Sequence, residues 1–136
     1  MSTIRRQISI EATPRAVWNA LTTPDGLARW LGTDARVDAR PGGRFVLKVD
    51  HEGAWVEEAG LLHVCRPTAR LEITWDKHSS GPWKGTLTQF QVARDGAETV
   101  LNLQHIGSAL EDEALRSGLD ERWRRALSTL RDQLEQ

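Results

Sequence analysis

The sequence predicts an α+β fold in which an antiparallel sheet is covered by one long C-terminal helix. Three observations predict it. Apolar residues alternate with period two in short runs from residue 5 to residue 106, punctuated by Pro, Gly and Asp. Two short helical patterns interrupt those runs once, near the start. The last segment then changes to helical spacing. Five of the later strands follow one another through short turns, which favours an antiparallel meander. A sheet with one apolar face must cover it. Only the final segment is long enough, roughly 25 to 40 Å at 1.5 Å per residue.

Arg5–Glu11 is the first strand, with Ile8 and Ile10 on one face and Gln7, Ser9 and Glu11 on the other. Thr13 is placed to cap a helix whose first residue is Pro14, where the missing N–H costs nothing. That helix, Pro14–Leu21, presents Val17, Trp18 and Leu21. Thr23-Pro24-Asp25 breaks it, and Thr23 or Asp25 caps a second helix, Gly26–Leu31, that buries Leu27, Trp30 and Leu31. Strands follow at Ala35–Ala39, Arg44–Val49, Trp55–Arg66, Leu71–Trp75, Gly85–Ala93 and Thr99–Ile106. The turns between them carry Pro41-Gly42-Gly43, Asp50-His51-Glu52-Gly53, Pro67, the loop His78–Pro82, and Asp95-Gly96. Gly60 leaves room for a bulge in the longest strand. Ser108 with Glu111 fits a capping box. Beyond it Leu119, Trp123, Leu127, Leu130 and Leu134 form one apolar helix face, with Ser117-Gly118 as a point where the helix is expected to kink or divide.

The chain has 136 residues and reads as one domain, 1–136, large enough to bury a core without staples. With 18 basic and 19 acidic side chains the net charge is −1, which argues against a nucleic-acid binder driven by a large basic surface. The single cysteine, Cys65, excludes an internal disulfide and offers no zinc cluster; a buried strand thiol is expected. No apolar run approaches the roughly 20 residues of a membrane span, and residues 1–7 lack the apolar core of a signal peptide. A cytoplasmic protein without membrane insertion is the resulting expectation. Six Trp, two Phe and no Tyr point to a bulky core or an aromatic-lined pocket.

Several segments, in this order, resemble the START-like (SRPBCC) superfamily, whose helix-grip fold is shared by the birch pollen allergen and polyketide cyclases. They are I-E-A-T-P-R-A-V-W-N-A-L-T-T-P at 10–24, Trp30, R-P-G-G-R-F at 40–45, G-L-L-H-V-C-R-P at 60–67, L-E-I-T-W at 71–75, T-V-L-N-L-Q-H at 99–105, and the helix carrying Trp123 and Leu127. Within the superfamily the chain is most similar to the family related to the activator of heat-shock protein 90 ATPase. The resemblance implies a curved antiparallel sheet of about seven strands wrapped around the C-terminal helix, with two short helices between the first and second strands. It also implies a cavity between sheet and helix that accepts a hydrophobic or amphipathic small molecule. It carries over no one reaction, because fold does not fix function. The eukaryotic activators have an additional N-terminal domain before this one. The chain begins at the first strand, so chaperone activation is not expected.

Trp30, Phe45, Leu47, Trp75, Phe90, His105 and Trp123 share an inward phase and form the candidate ligand-binding set. His105 follows Leu101 and Leu103 on one strand face, where an imidazole orients a ligand carbonyl or serves as a general base. The plainer expectation is a structural histidine bonded to backbone or water. His63 is expected to face solvent, and His51 and His78 to lie in turns. Four histidines without paired spacing make no metal site, and no cofactor motif is present. The acidic pair Glu57-Glu58 and the basic run Arg122, Arg124, Arg125 have no assigned chemistry; the basic run reads as a solvated helix face. Two rivals to ligand binding stand: a cyclase- or hydrolase-like enzyme using His105, and a chaperone-partner or homodimerising module using exposed Trp55 and Trp83.

Overall fold

A computed structural model describes residues 2–77 and 79–136; the turn expected at His78 lies outside the described residues. The chain runs β1 (Thr3–Ile10), α1 (Pro14–Thr22), α2 (Pro24–Ala28), β2 (Thr33–Val37), β3 (Arg44–His51), β4 (Ala54–Arg66), β5 (Arg70–Trp75), β6 (Leu87–Asp95), β7 (Glu98–Ile106) and α3 (Glu113–Leu134). The strands form one seven-stranded antiparallel sheet in the order β1-β7-β6-β5-β4-β3-β2. β1 and β2, neighbours in sequence, therefore sit at opposite edges. The α1–α2 pair spans the gap, and the sheet curves around α3. This is the helix-grip architecture.

Local chemistry explains the bridge. The Thr13 hydroxyl accepts from the Ala16 N–H at 3.1 Å, and Pro14 opens α1. Thr23 both ends α1 and starts α2: its hydroxyl donates to the Asn19 carbonyl at 2.8 Å and accepts from the Gly26 N–H at 3.0 Å. Trp18 is buried in the core, and the indole N–H of buried Trp30 donates to the Ala20 carbonyl at 2.9 Å, fixing the ring over the end of the bridge.

Inward residues of the sheet follow the period-two pattern. Leu101, Leu103 and His105 of β7 are buried, as are Thr88, Phe90 and Val92 of β6 and Phe45 and Leu47 of β3. The bulge in β4 falls between Leu62 and Val64, beyond the position that Gly60 suggested. Its consequence is a change of phase: Cys65, not Val64, lies opposite buried Leu71. Cys65 is half-buried, and desolvation raises its thiol pKa. Gly60 has another purpose. A Cβ there would lie 2.6 Å from the Thr74 carbonyl oxygen, so the position admits no side chain without a backbone shift.

The expected capping box at Ser108 and Glu111 does not form. Those residues make a single 3-10 turn, and Asp112 caps α3 by accepting from the Ala114 and Leu115 N–H groups at 3.0 and 3.2 Å. α3 is continuous through Ser117-Gly118 over its 22 residues, about 33 Å. Leu119, Trp123, Leu127 and Leu130 are buried in the grip. Arg6 of β1 fastens the helix through a two-pronged ion pair with Asp120, at 2.8 and 3.0 Å.

Candidate functional site

A half-open cleft of about 300 Å³ lies between α3 and one end of the sheet. Trp30 and Leu31 form one side, and Val49, Asp50, His51, Val56 and Glu58 of the β3–β4 ribbon form another. Pro82 and Trp83 enter from the β5–β6 connection. Leu119, Arg122, Trp123, Arg125, Ala126 and Thr129 of α3 complete the wall. Its lining combines apolar surface with a few polar groups.

Of the predicted set, Trp30 and Trp123 line this cleft. Phe45, Leu47, Trp75, Phe90 and His105 do not; they are core residues that support its wall. Trp83 stacks on Trp123 with ring centres 5.2 Å apart and planes 13° from parallel. Behind that stack Trp75 lies 4.9 Å from Trp83, and Phe45 meets Trp75 edge-on at 5.9 Å. Phe90 meets Trp123 edge-on at 6.0 Å and Trp30 at 6.3 Å. Edge-on and offset contacts of this kind add stability beyond area burial. Leu47 is the cross-strand neighbour of Glu58.

His105 holds the stack together. It is fully buried, and burial pushes its pKa down to about 4, so the ring is neutral. The Trp123 indole N–H donates to its Nδ1 at 3.0 Å. An indole nitrogen only donates, so Nδ1 is the acceptor and Nε2 carries the proton. Nε2 is 2.7 Å from the Thr86 hydroxyl, which in turn donates to the Trp83 carbonyl. Every polar atom in this relay is satisfied. His105 is thus structural, bonded to two side chains rather than to backbone or water. Both of its nitrogens are committed, and it does not line the cleft.

Trp83, expected at a rim or dimer contact, is buried by this relay and by the aromatic stack. Trp55, by contrast, is 64% exposed.

Glu58 is the buried acid of the wall. Oε2 accepts from the Trp83 N–H at 3.1 Å, and Oε1 lies 3.2 Å from the Ser79 hydroxyl. Gly81 makes room for it, since a Cβ there would collide with the carboxylate. Desolvation outweighs these bonds and raises the carboxyl pKa to about 7. Ser79 explains how the neutral form is housed. Its oxygen accepts from the Ala59 N–H at 3.1 Å and its proton points to the Glu57 carbonyl at 2.9 Å, leaving the oxygen free to accept the Glu58 O–H. The inward phase of Glu58, Gly60 and Leu62 on β4 carried a signal for this acid; Trp83, in a loop, had none.

The basic run divides. Arg124 pairs with Glu121 on the outer face. Arg125 stands exposed at the mouth, 4.0 Å from Glu121. Arg122 is half-buried in the wall, a correction to its expected place on a solvated face. His51, at the end of β3 and lining the cleft, has a buried Nδ1 without a hydrogen-bond partner among the described residues. Among the described residues no group of three or more His, Cys, Asp or Glu could hold a metal ion. Among them, too, no helix is long and apolar enough to cross a membrane.

Residues 11–135 match the family described as Activator of Hsp90 ATPase homolog 1-like protein. The Aha1 dimer from Colwellia psychrerythraea, solved in solution, aligns with a TM-score of 0.82 at 24% identity, over 99% of this chain and 97% of that one. Protein NE0264 from Nitrosomonas europaea aligns with a TM-score of 0.80 at 20% identity, over 96% and 92% of the two chains. CalU16 from Micromonospora echinospora aligns at 0.74 with 26% identity, over 95% of this chain and 71% of its own. No curated protein matches the chain. The match over nearly the whole sequence and the shared helix-grip architecture lead to one conclusion: this chain belongs to the Activator of Hsp90 ATPase homolog 1-like family of the START-like superfamily.

Proposed function

We propose that the chain is a ligand-binding START-like domain that holds a hydrophobic or amphipathic small molecule in the cleft between sheet and α3. The observation that carries this reading is the cleft itself, about 300 Å³ of space against Trp30, Trp83 and Trp123. Its aromatic wall is held rigid from behind by the His105 relay, so the site is preformed and little ordering cost attends binding. No catalytic role is assigned to His105, since both of its ring nitrogens are engaged in structure.

The test is a titration with phenylnaphthylamine, a neutral apolar fluorophore excited by energy transfer from tryptophan. Saturable binding is expected, and Ala126→Trp, which fills the cleft from α3, should abolish it. Absence of binding, or binding indifferent to Ala126→Trp, refutes the reading.

A second reading is self-association. The Colwellia relative is a dimer, and Trp55 at the start of β4 is 64% exposed here. Sedimentation across about a hundredfold range of concentration decides it. A dimer lost in Trp55→Ser supports an interface at that end of the β3–β4 ribbon; a monomer throughout overturns it.

A further inference from the structure

We propose that the cleft selects amphipathic molecules with an anionic head group, which Arg122 binds while the apolar part lies against the tryptophan wall. This rests on the ligand-binding reading and adds the charge of the ligand. Arg122 follows Leu119 by three residues and precedes Ala126 by four, so all three present to the same side of α3 and line the cleft. It is half-buried. Among the described residues it makes neither an ion pair nor a side-chain hydrogen bond, whereas Arg124 beside it pairs with Glu121. A guanidinium withdrawn from bulk water without a carboxylate partner is a ready site for an anion, and its planar fork suits an oxyanion.

The other charges of the cleft agree with this polarity. Arg125 adds a second cation at the mouth, its nearest acid 4.0 Å away. Asp50, exposed on the opposite rim, is the opposing charge there. Glu58 turns its oxygens to Ser79 and the Trp83 N–H rather than to Arg122. An anionic head at Arg122 gains a charge-assisted bond, and the adjoining stack of Trp83 and Trp123 offers the apolar surface for the remainder of the molecule.

Two dyes of nearly the same apolar frame separate the head group from the body: anilinonaphthalenesulfonate, which carries a sulfonate, and phenylnaphthylamine, which does not. The sulfonate dye should bind about tenfold more tightly. Arg122→Gln should weaken it by about tenfold and leave the neutral dye unchanged, with Arg122→Lys between the two. Arg124→Gln, which alters the paired outer arginine, should change neither. Equal affinity of the two dyes, or equal weakening of both by Arg122→Gln, overturns the anionic preference while the cleft remains a ligand site. Failure of both dyes to bind refutes the underlying reading instead. Displacement of the sulfonate dye by monomeric decanoate supports a free amphiphile. Displacement only by phosphatidylglycerol vesicles overturns it in favour of a membrane surface.

Discussion

Replacing Glu58 with Gln should stabilise the protein at about pH 8 and leave its stability nearly unchanged at about pH 4.5. The folded environment raises this carboxyl from 4.5 to about 7. Below the lower value, folded and unfolded chains both hold the proton. Between the two, the unfolded chain releases it and the folded chain keeps it, so stability falls as pH rises. Above about 7 both are ionised and the whole loss persists. The difference corresponds to about 3 kcal/mol. The introduced amide would have the shape of the neutral acid. Its oxygen can accept from the Trp83 N–H and its NH₂ can donate to Ser79, the partners Glu58 now has at 3.1 and 3.2 Å. The gain at about pH 8 should therefore approach about 3 kcal/mol, an upper bound because water can relax around the ionised acid.

His105 makes the measurement sharper because it runs the other way. Burial lowers its pKa from 6.5 to about 4. Its contribution is present in full above 6.5 and is lost as pH falls through about 4, where the folded state at last accepts the proton. Between about pH 4.5 and 6.5 the two slopes oppose each other in the parent, and Glu58→Gln leaves the His105 slope alone. Urea unfolding followed by tryptophan emission from about pH 4 to 8.5 reads both effects. With a slope of about 2 kcal/mol per molar urea, the midpoint should rise by about 1.5 M at the alkaline end. A difference between variant and parent that is constant across the range, or a variant less stable at about pH 8, refutes the account of Glu58.

Two further substitutions test how the wall is held. Thr86→Val preserves shape but removes the hydroxyl between His105 and the Trp83 carbonyl, so it should cost about 3 kcal/mol by leaving two buried groups unpaired, read by urea unfolding. Asp120→Ala breaks the pair with Arg6, but both side chains are about a third or more exposed, at 32 and 42%; the cost should be at most about 1 kcal/mol and should shrink in high salt.

Much of the fold was legible because its signals are local. Thr13-Pro14 marks a helix start by the chemistry of its hydroxyl and ring, and Thr23, one of the two caps open for the second helix, is the one used, although that helix runs Pro24–Ala28 rather than Gly26–Leu31. Period-two alternation in β6 and β7 needs only that one face be buried. The misplacements arise where a competing side chain or a partner strand decides the outcome. Ser108 and Glu111 have capping-box spacing, yet Asp112 offers a better oxygen to the same helix, and the chain takes it. The bulge in β4 is set by pairing with β5, so Gly60 alone could not locate it.

The cleft shows the deeper limit. Inward phase says that a side chain leaves the solvent, not that space remains beside it. Phe45, Trp75 and Phe90 have the composition of a pocket wall, but each ring is met by another, and the volume between them is filled. The cleft lies where the ladder of rings ends, at Trp30, Trp83 and Trp123, against an α3 side of Leu119, Arg122 and Ala126. Trp83 reaches that end from a loop with no periodicity to read, and it is seated by Glu58 of β4 through its N–H and by Thr86, three residues along the same connection, through its carbonyl. The buried acid and the buried histidine therefore act on one segment from opposite sides. Both fix the position of the ring that closes the cleft, so their shifted pKa values have a structural cause in the seating of Trp83.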